Sequence, residues 1–291
     1  MRITEYLPGV AGLIDRYDAL LLDQWGVLHD GARPYPGAID CLTRLRAAGK
    51  TVVIVSNSGR GGEENARSME RMGFDRGFFD EVVSAGDDAR DAVATSDDPF
   101  YRGLGRRCLL IARESDGHLV DGLGLDVVTD VDEADFLFAL SMDAPRQSVS
   151  GWQAVMKRAV ARDLPMVCGN PDLAQVTPEG RLLEAVGLLA VRYAELGGQV
   201  RSHGKPSARI YETCLRHVPC PRARIVAVGD SLHHDVLGAN RVGLASILVA
   251  GGVHREALGI EFGESPDPGR CAILFAQAGA VPDYVVPSFR W

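Results

Sequence analysis

The sequence predicts an α/β protein built on a parallel sheet, with a second domain inserted into it. Apolar, strand-like runs alternate with amphipathic, helix-like segments over residues 19–73, and the alternation returns after residue 208. Such alternation is typical of parallel strands joined by helical crossovers. The block 84–200 is far longer than an ordinary connection and has apolar runs of its own. We therefore expect a core domain formed by 1–83 and 201–291, and an inserted α/β domain at 84–200.

The elements follow from local patterns taken in chain order. In the core, short apolar runs predict strands at 19–23, 51–56, 224–230 and 245–250. Helical spacing predicts helices at 38–48, 63–72, 208–216 and 234–242, and the first two are followed by Gly49 and Gly73, which are common helix stops. In the insert, the same criteria predict strands at 108–112, 135–141 and 165–168 and a helix within 149–161.

Composition excludes several classes of protein. The chain has 291 residues, 46% of them hydrophobic and 24% charged, and its formal net charge is −8. An acidic balance does not favour nucleic-acid binding, which depends on clustered Lys and Arg. The six cysteines form no C-x-x-C pair, and no apolar run is long enough to span a membrane. We expect a cytoplasmic protein with neither nucleic acid nor membrane as a partner.

Polar residues at the ends of the core strands are the candidates for chemistry. Asp23 follows one apolar run, Ser56 ends another, and Asp230 follows a third, with Asp235 five residues later. Ligands bind at the carboxyl ends of strands in an open parallel sheet. Carboxylates gathered in a buried pocket repel one another unless a cation compensates them, and hard oxygen ligands suit Mg²⁺. Lys205 is the fifth candidate, as the basic residue of the segment HGKPS.

These residues resemble a known family. Asp23–Leu28 (DQWGVL), Ser56–Ser58 (SNS), Gly204–Pro206 (GKP) and the segment from Gly229 to Asp235 are similar, in this order, to the four motifs of the haloacid dehalogenase superfamily. The long insert between the second and third motifs resembles the C2-type cap of its class IIA branch, which includes p-nitrophenyl and sugar phosphatases. The resemblance runs from about Asp18 to about Glu256 and implies a Rossmann-like core.

The resemblance also implies roles for individual residues. Asp23 is then the nucleophile that forms an aspartyl-phosphate, and Lys205 neutralises both the nucleophile and the phosphate. The phosphate-binding group is implied to be Ser56, Asn57, Ser58 and the backbone at Gly26. The Mg²⁺ ligands are implied to be Asp23, Asp230, Asp235 and the backbone carbonyl of Trp25. Insert residues that the sequence leaves as candidates for reading the substrate are Asn170, Asp172, Arg181, Arg192 and Tyr193.

One residue departs from the family pattern. The usual general acid is an Asp two residues after the nucleophile, whereas this chain has Trp25 there. Indole does not donate a proton to an alkoxide at neutral pH, so Trp25 does not supply the usual acid assistance of roughly 10²- to 10⁴-fold. Three explanations stay open: a substrate with a good leaving group, a substitute acid such as His29 or Asp30, or a weak enzyme retained for binding.

The leading hypothesis is a magnesium-dependent phosphomonoesterase that acts on a small phosphorylated metabolite, with a sugar phosphate as one candidate. Carbon–halogen hydrolysis is a second enzymatic hypothesis, but it involves no dianionic phosphate and would not need the pair of later acids. The alternative from another class is a catalytically weak phosphometabolite-binding protein. The sequence carries no interface signature, and a homodimer is left open.

Overall fold

The computed structural model describes residues 3–176 and 182–291 and confirms the α/β class. Its strands are β1 (Glu5–Tyr6), β2 (Ala19–Leu22), β3 (Thr51–Ser56), β4 (Glu81–Ser84), β5 (Arg107–Ile111), β6 (Asp126–Val128), β7 (Phe136–Ala139), β8 (Met166–Cys168), β9 (Ala174–Val176), β10 (Leu182–Glu184), β11 (Val200–Ser202), β12 (Ile225–Gly229), β13 (Ala245–Val249) and β14 (Tyr284–Val286). Its α-helices are α1 (Ala38–Ala47), α2 (Gly62–Arg71), α3 (Ala85–Thr95), α4 (Pro99–Arg102), α5 (Gln153–Ala161), α6 (Val186–Glu195), α7 (Ala208–Leu215), α8 (Leu237–Arg241), α9 (Arg255–Leu258) and α10 (Pro268–Ala278).

The described chain packs as two compact units. The first contains residues up to 56 together with 66–83 and 205–291, and the second contains 57–65 and the described part of 84–204. Each unit has a sheet and a hydrophobic core of its own. The exact limits expected for the inserted domain, 84 and 200, stay a prediction.

The first unit is built on a seven-stranded sheet in the order β1-β14-β13-β12-β2-β3-β4. The pairings from β1 through β3 are parallel, and β12 lies between β13 and β2. The central strands β2 and β12 are buried along their whole length, as expected for parallel strands covered on both faces. Because parallel strands share one carboxyl edge, β2, β3 and β12 end side by side.

The second unit contains a five-stranded parallel sheet in the order β11-β8-β7-β5-β6. A separate antiparallel pair joins β9 to β10. Strand β7 is fully buried, and residues of α5 and α6 pack into the same core, among them Met156 and Leu189. This unit therefore buries a core without help from the first sheet.

Most predicted elements are present with shifts of one to a few residues. The helix predicted at 149–161 begins at Gln153, and the one predicted at 234–242 is a turn of π-helix, Leu232–Val236, followed by α8. Seven short strands were not predicted: β1, β4, β6, β9, β10, β11 and β14. No helix among the residues that the structure describes is long and apolar enough to cross a membrane.

Candidate active site

Three carboxylates converge at the carboxyl ends of two neighbouring strands of the first unit. Asp23 directly follows β2 and Asp230 directly follows β12, and these strands pair in parallel with Leu22 opposite Val228. Asp235 belongs to the π-helical turn after Asp230. One carboxylate oxygen from each lies within 4.8 Å of the other two, and all three residues are buried. Buried like charges at this range repel one another unless a cation is present.

Lys205 supplies part of that compensation. Its Nζ lies 2.7 Å from Asp23 Oδ1 and 2.8 Å from Asp235 Oδ1, and the residue is 2% exposed. Burial by itself lowers the pKa of this ammonium, but the carboxylates of Asp23 and Asp235 raise the pKa well above its ordinary value. One ammonium among three carboxylates still leaves an excess of negative charge in the site.

Burial, together with this excess of negative charge, raises the pKa values of two of the carboxyl groups. Burial raises the pKa of Asp23 to about 7, although the Lys205 ammonium acts in the opposite direction. Burial also raises the pKa of Asp230 well above its ordinary value, and the charges of Asp23 and Asp235 add to the effect. A cluster of buried carboxylate oxygens with too little positive charge is the donor set that a hard divalent cation prefers. The residues present therefore fit Mg²⁺.

Asp235 is oriented by the backbone around it. The N–H of Ser231 donates to Asp235 Oδ2 at 3.0 Å, and the hydroxyl of Tyr211 donates to the Asp235 carbonyl at 3.1 Å. A Cβ at Gly229 would lie 2.0 Å from Asp235 Cγ, so only glycine fits at the end of β12. Turns of π-helix inside helices are frequent at functional sites. Here the turn directs Asp235 back toward the strand end.

Asp230 is held by residues that sequence reasoning missed. The backbone N–H of Val253 donates to Asp230 Oδ2 at 2.7 Å. A Cβ at Gly252 would lie 2.3 Å from Asp230 Cβ, and one at Gly26 would lie 1.8 Å from Asp230 Oδ2. The sequence signal for this contact is the glycine pair that follows β13, because a close approach of the backbone at the carboxyl edge of the sheet requires glycine. The backbone at Gly26 thus lies against Asp230.

The residues of the second motif are divided between the two units. Ser56 ends β3, which pairs in parallel with β2, so this serine lies at the same sheet edge as Asp23. Asn57 and Ser58 belong to the second unit, where Asn57 Nδ2 donates to Asp172 Oδ1 at 2.8 Å. The phosphate-binding roles of Ser56, Asn57, Ser58 and Gly26 stay predictions.

Trp25 and the two candidate substitute acids lie in the loop after β2. Trp25 is 44% exposed, and its ring meets the ring of His29 edge-on at 5.3 Å. His29 is 2% exposed, and burial lowers its pKa to about 4, so the ring is neutral at physiological pH. Asp30 Oδ1 accepts the backbone N–H groups of Ala32 and Arg33, and these bonds favour its ionised form. Neither geometry suits a general acid.

The insert residues expected to read the substrate differ in their surroundings. Tyr193 is fully buried and donates its hydroxyl to the Leu164 carbonyl at 2.6 Å, so it is a core residue of the second unit. Arg192 forms an exposed ion pair within α6. Arg181 lies outside the described residues.

Two family models match the chain, one before and one after residues 127–201. The model described as haloacid dehalogenase-like hydrolase matches residues 20–126, and the model described as HAD-hydrolase-like matches residues 202–272. The first contains Asp23 and Ser56, and the second contains Lys205, Asp230 and Asp235. The matched segments therefore carry the residues that converge in the structure.

Individual proteins are also similar in sequence to this chain over most of its length. Glycerol-3-phosphate phosphatase of Rattus norvegicus is 30% identical in an alignment of length 261 that covers 83% of this chain and 81% of that protein. D-glycerol 3-phosphate phosphatase of Mycobacterium tuberculosis is 27% identical over 83% of this chain, which spans 65% of that protein's length.

Solved structures extend the similarity to almost the whole fold. A haloacid dehalogenase-like hydrolase from Brucella suis 1330 superimposes with a TM-score of 0.81 at 30% identity, covering 99% of this chain and 100% of that one. A glycerol phosphate phosphatase from Mycobacterium tuberculosis, in complex with magnesium, gives 0.65 at 25% identity, covering 87% of this chain and 74% of that one. The predicted fold, a Rossmann-like core with a cap, is confirmed. The chain belongs to the haloacid dehalogenase-like hydrolases, in the class IIA branch of phosphatases.

Proposed function

We propose that the protein is a magnesium-dependent phosphomonoesterase that acts on a small phosphorylated metabolite through an aspartyl-phosphate at Asp23. The observation that carries the proposal is the buried convergence of Asp23 with Lys205, Asp230 and Asp235. Relatives named as glycerol phosphate phosphatases support hydrolysis of a phosphate ester, and a related structure in complex with magnesium supports the choice of metal. These relatives favour hydrolysis over the binding-only alternative.

Asp23 is the nucleophile in this mechanism. Its Oδ1 accepts the N–H of Gln24 at 2.8 Å and pairs with Lys205 Nζ, and both contacts fix the orientation of the carboxylate. A fixed carboxylate attacks phosphorus with little further loss of freedom, which is a large part of catalysis in phosphoryl transfer. Lys205 favours the reactive, ionised form of Asp23 and offsets the negative charge of the arriving phosphate.

Asp230 and Asp235 hold the metal, together with Asp23 and the backbone carbonyl of Trp25. Bound Mg²⁺ would neutralise charge on the phosphoryl oxygens. In this proposal the hydroxyl of Ser56 and the backbone N–H groups around Gly26 and Asn57 bind the phosphate, and Ser58 belongs to the phosphate-binding group. Residues 84–200 act as the cap, and their independent sheet and core support a separately folded element.

The first test is a phosphate-release assay over aryl, sugar, glycerol, nucleotide and cofactor phosphates, with and without Mg²⁺. We expect release only with the metal. Asp23→Asn should abolish it, because the amide is no nucleophile toward phosphorus. Asp40→Asn, an exposed change on α1, is the matched control and should retain full activity. Undiminished turnover by Asp23→Asn would refute the assigned nucleophile.

A further inference from the structure

The loop after β2 is built around the tryptophan at position 25. The indole of Trp25 lies over Gly31, where an added Cβ would sit 2.0 Å from indole Cη2. Backbone bridges pair Trp25 with His29 and His29 with Pro34, and the two rings of Trp25 and His29 meet edge-on. Only glycine at position 31 leaves room for the indole. The aromatic residue is therefore an integral part of this loop.

Neither titratable neighbour in the loop is placed to replace the missing acid. The ring of His29 is enclosed by Trp25 and Phe74, and its Nδ1 accepts the N–H of Gly31 at 3.1 Å. Its Nε2 is buried and has no hydrogen-bond partner in the part of the chain that the structure describes. Asp30 Oδ1 receives two backbone N–H groups of its own turn. The loop thus presents a non-acidic indole where the family pattern has a proton donor.

We propose that this phosphatase acts on phosphoryl compounds whose leaving oxygen is a weak base, as in aryl and acyl phosphates. The inference rests on the proposed function and narrows its substrate class. Simple alkyl esters, including glycerol 3-phosphate and sugar 6-phosphates, are then slow substrates. In this respect the protein differs from the activity for which its glycerol phosphate phosphatase relatives are named.

The chemical step needs no protein acid in such substrates. An Asp23 oxygen forms a bond to phosphorus while the bond from phosphorus to the leaving oxygen breaks, and the electron pair departs with that oxygen as a phenolate or carboxylate. The anion is stable in water without prior protonation. A water oxygen then attacks the aspartyl-phosphate, the bond from phosphorus to Asp23 breaks, and orthophosphate leaves with the carboxylate restored. The proton of the attacking water passes to solvent.

The basicity of the leaving oxygen decides how much a proton donor matters. A carboxyl group has a pKa of about 4 and a phenol about 10. Unactivated alcohols are closer to water, at about 15.7. Assistance by a general acid contributes roughly 10²- to 10⁴-fold, and the contribution is needed most when the leaving oxygen is most basic. Without the acid, alkyl esters lose this factor, whereas aryl and acyl phosphates lose little.

The test compares kcat/KM of the magnesium-loaded enzyme over a graded series of substrates. The series contains phenyl phosphates with electron-withdrawing substituents, acetyl phosphate and glycerol 3-phosphate. We expect kcat/KM to fall steeply as the pKa of the leaving group rises, with glycerol 3-phosphate at least ~100-fold below the activated aryl esters. The aryl and acetyl members separate the two sources of a weakly basic leaving oxygen.

Two variants test whether the residue at position 25 causes the dependence of kcat/KM on the leaving-group pKa. Trp25→Asp should raise the ratio of glycerol 3-phosphate to aryl phosphate kcat/KM at least ~10-fold, because the new carboxyl protonates the alkoxide. Trp25→Phe, which restores no acid, should keep the wild-type ratio. Circular dichroism checks that each variant is folded, and the wild-type slope remains a test if either variant is not.

The outcomes are distinguishable. A shallow wild-type dependence on leaving-group pKa, with glycerol 3-phosphate hydrolysed as fast as the aryl esters, overturns the inference and leaves the phosphatase activity standing. An unchanged ratio in folded Trp25→Asp also overturns it. Absence of magnesium-dependent phosphate release from every member of the series instead refutes the proposed function itself.

Discussion

At the scale of single residues, Lys205 supplies the positive charge that partly compensates the buried carboxylates. The side chain is the only cation within ion-pair distance of Asp23 and Asp235 among the described residues, and it is almost fully buried. A buried ion pair gives little net stability compared with an apolar pair, but removal of one partner leaves an uncompensated charge. Lys205 is therefore a structural requirement of the cluster, and in the proposed mechanism it is also a catalytic residue.

Lys205→Met tests this dual requirement. We expect the free energy of unfolding of the metal-free protein to fall by about 3–5 kcal/mol, because two buried carboxylates lose their shared cation. Phosphate release should fall below detection. Denaturant unfolding and the phosphate assay provide the measurements. Lys157→Met, an exposed change on α5, is the control. Equal stability of the wild type and Lys205→Met would contradict the ion-pair argument.

At the scale of elements, the site is assembled from loops at the carboxyl edge of the first sheet. The loop after β13 brings Gly252 and Val253 against Asp230, which itself follows β12. The contact is possible because β12 and β13 are neighbours that end at the same edge. Asp230 is thus positioned by a segment more than twenty residues away in sequence, through a hydrogen bond to its carboxylate.

Gly252→Ala tests the role of this loop. The added methyl group would lie 2.3 Å from Asp230 Cβ and should displace the carboxylate from its place in the cluster. We expect Mg²⁺ affinity to fall about tenfold or more, equivalent to about 1.4 kcal/mol of binding free energy. Calorimetric titration with Mg²⁺ measures it. Gly117→Ala is the control, since an added Cβ there meets no atom within 4 Å. Wild-type affinity in Gly252→Ala would show that the loop does not hold Asp230.

At the scale of the whole molecule, the buried carboxylates link stability to pH and to metal. The pKa of Asp23 is about 7 in the folded protein and 3.8 in its ordinary state. Between these values the metal-free folded protein retains a proton that the unfolded chain has released. The stabilisation is therefore full below pH 3.8 and is lost as the pH rises through about 7. The raised pKa of Asp230 acts in the same direction.

The linkage predicts a pH-dependent effect of Mg²⁺ on thermal unfolding. Metal binding requires ionised carboxylates, so Mg²⁺ should raise the melting temperature more at pH 8 than at pH 5.5. Scanning calorimetry with Mg²⁺ and with EDTA at each pH measures the difference. Asp230→Asn removes one of the proposed metal ligands, so in this variant the melting temperatures with Mg²⁺ and with EDTA should be nearly equal at both pH values. A metal effect of the same size at both pH values would argue against binding at this cluster.

Much of the fold could be predicted because the relevant signals are local. Strands β2, β3, β12 and β13, which are buried over all or nearly all of their length, are apolar runs that are evident without any partner. Helix α1 has both amphipathic spacing and a glycine stop at Gly49. Strands β1 and β14 were missed because two or three residues are too few to display a period. Their strand character comes from pairing: β14 pairs with β13, and β1 pairs with β14 across almost the whole chain.

The candidate site also has a part that could be predicted from the sequence and a part that could not. Its acids and its lysine could be named from the sequence because each lies next to a recognisable strand or motif. The contacts of Gly252 and Val253 with Asp230 could not, since they depend on the neighbouring relation of β12 and β13. The packing of His29 against Trp25 and Phe74 likewise could not be predicted, because no local pattern reveals it.

The sequence by itself determined the alternation of strands and helices in the core, the presence of a large insert, and the set of ionisable residues available for chemistry. Only the tertiary structure decided that Lys205 lies between Asp23 and Asp235, and that these carboxylates are buried enough to need a further cation. The reason is physical. Secondary structure follows from the spacing of neighbouring residues, whereas charge compensation and proton affinity depend on burial and on distances between atoms that are remote in the chain.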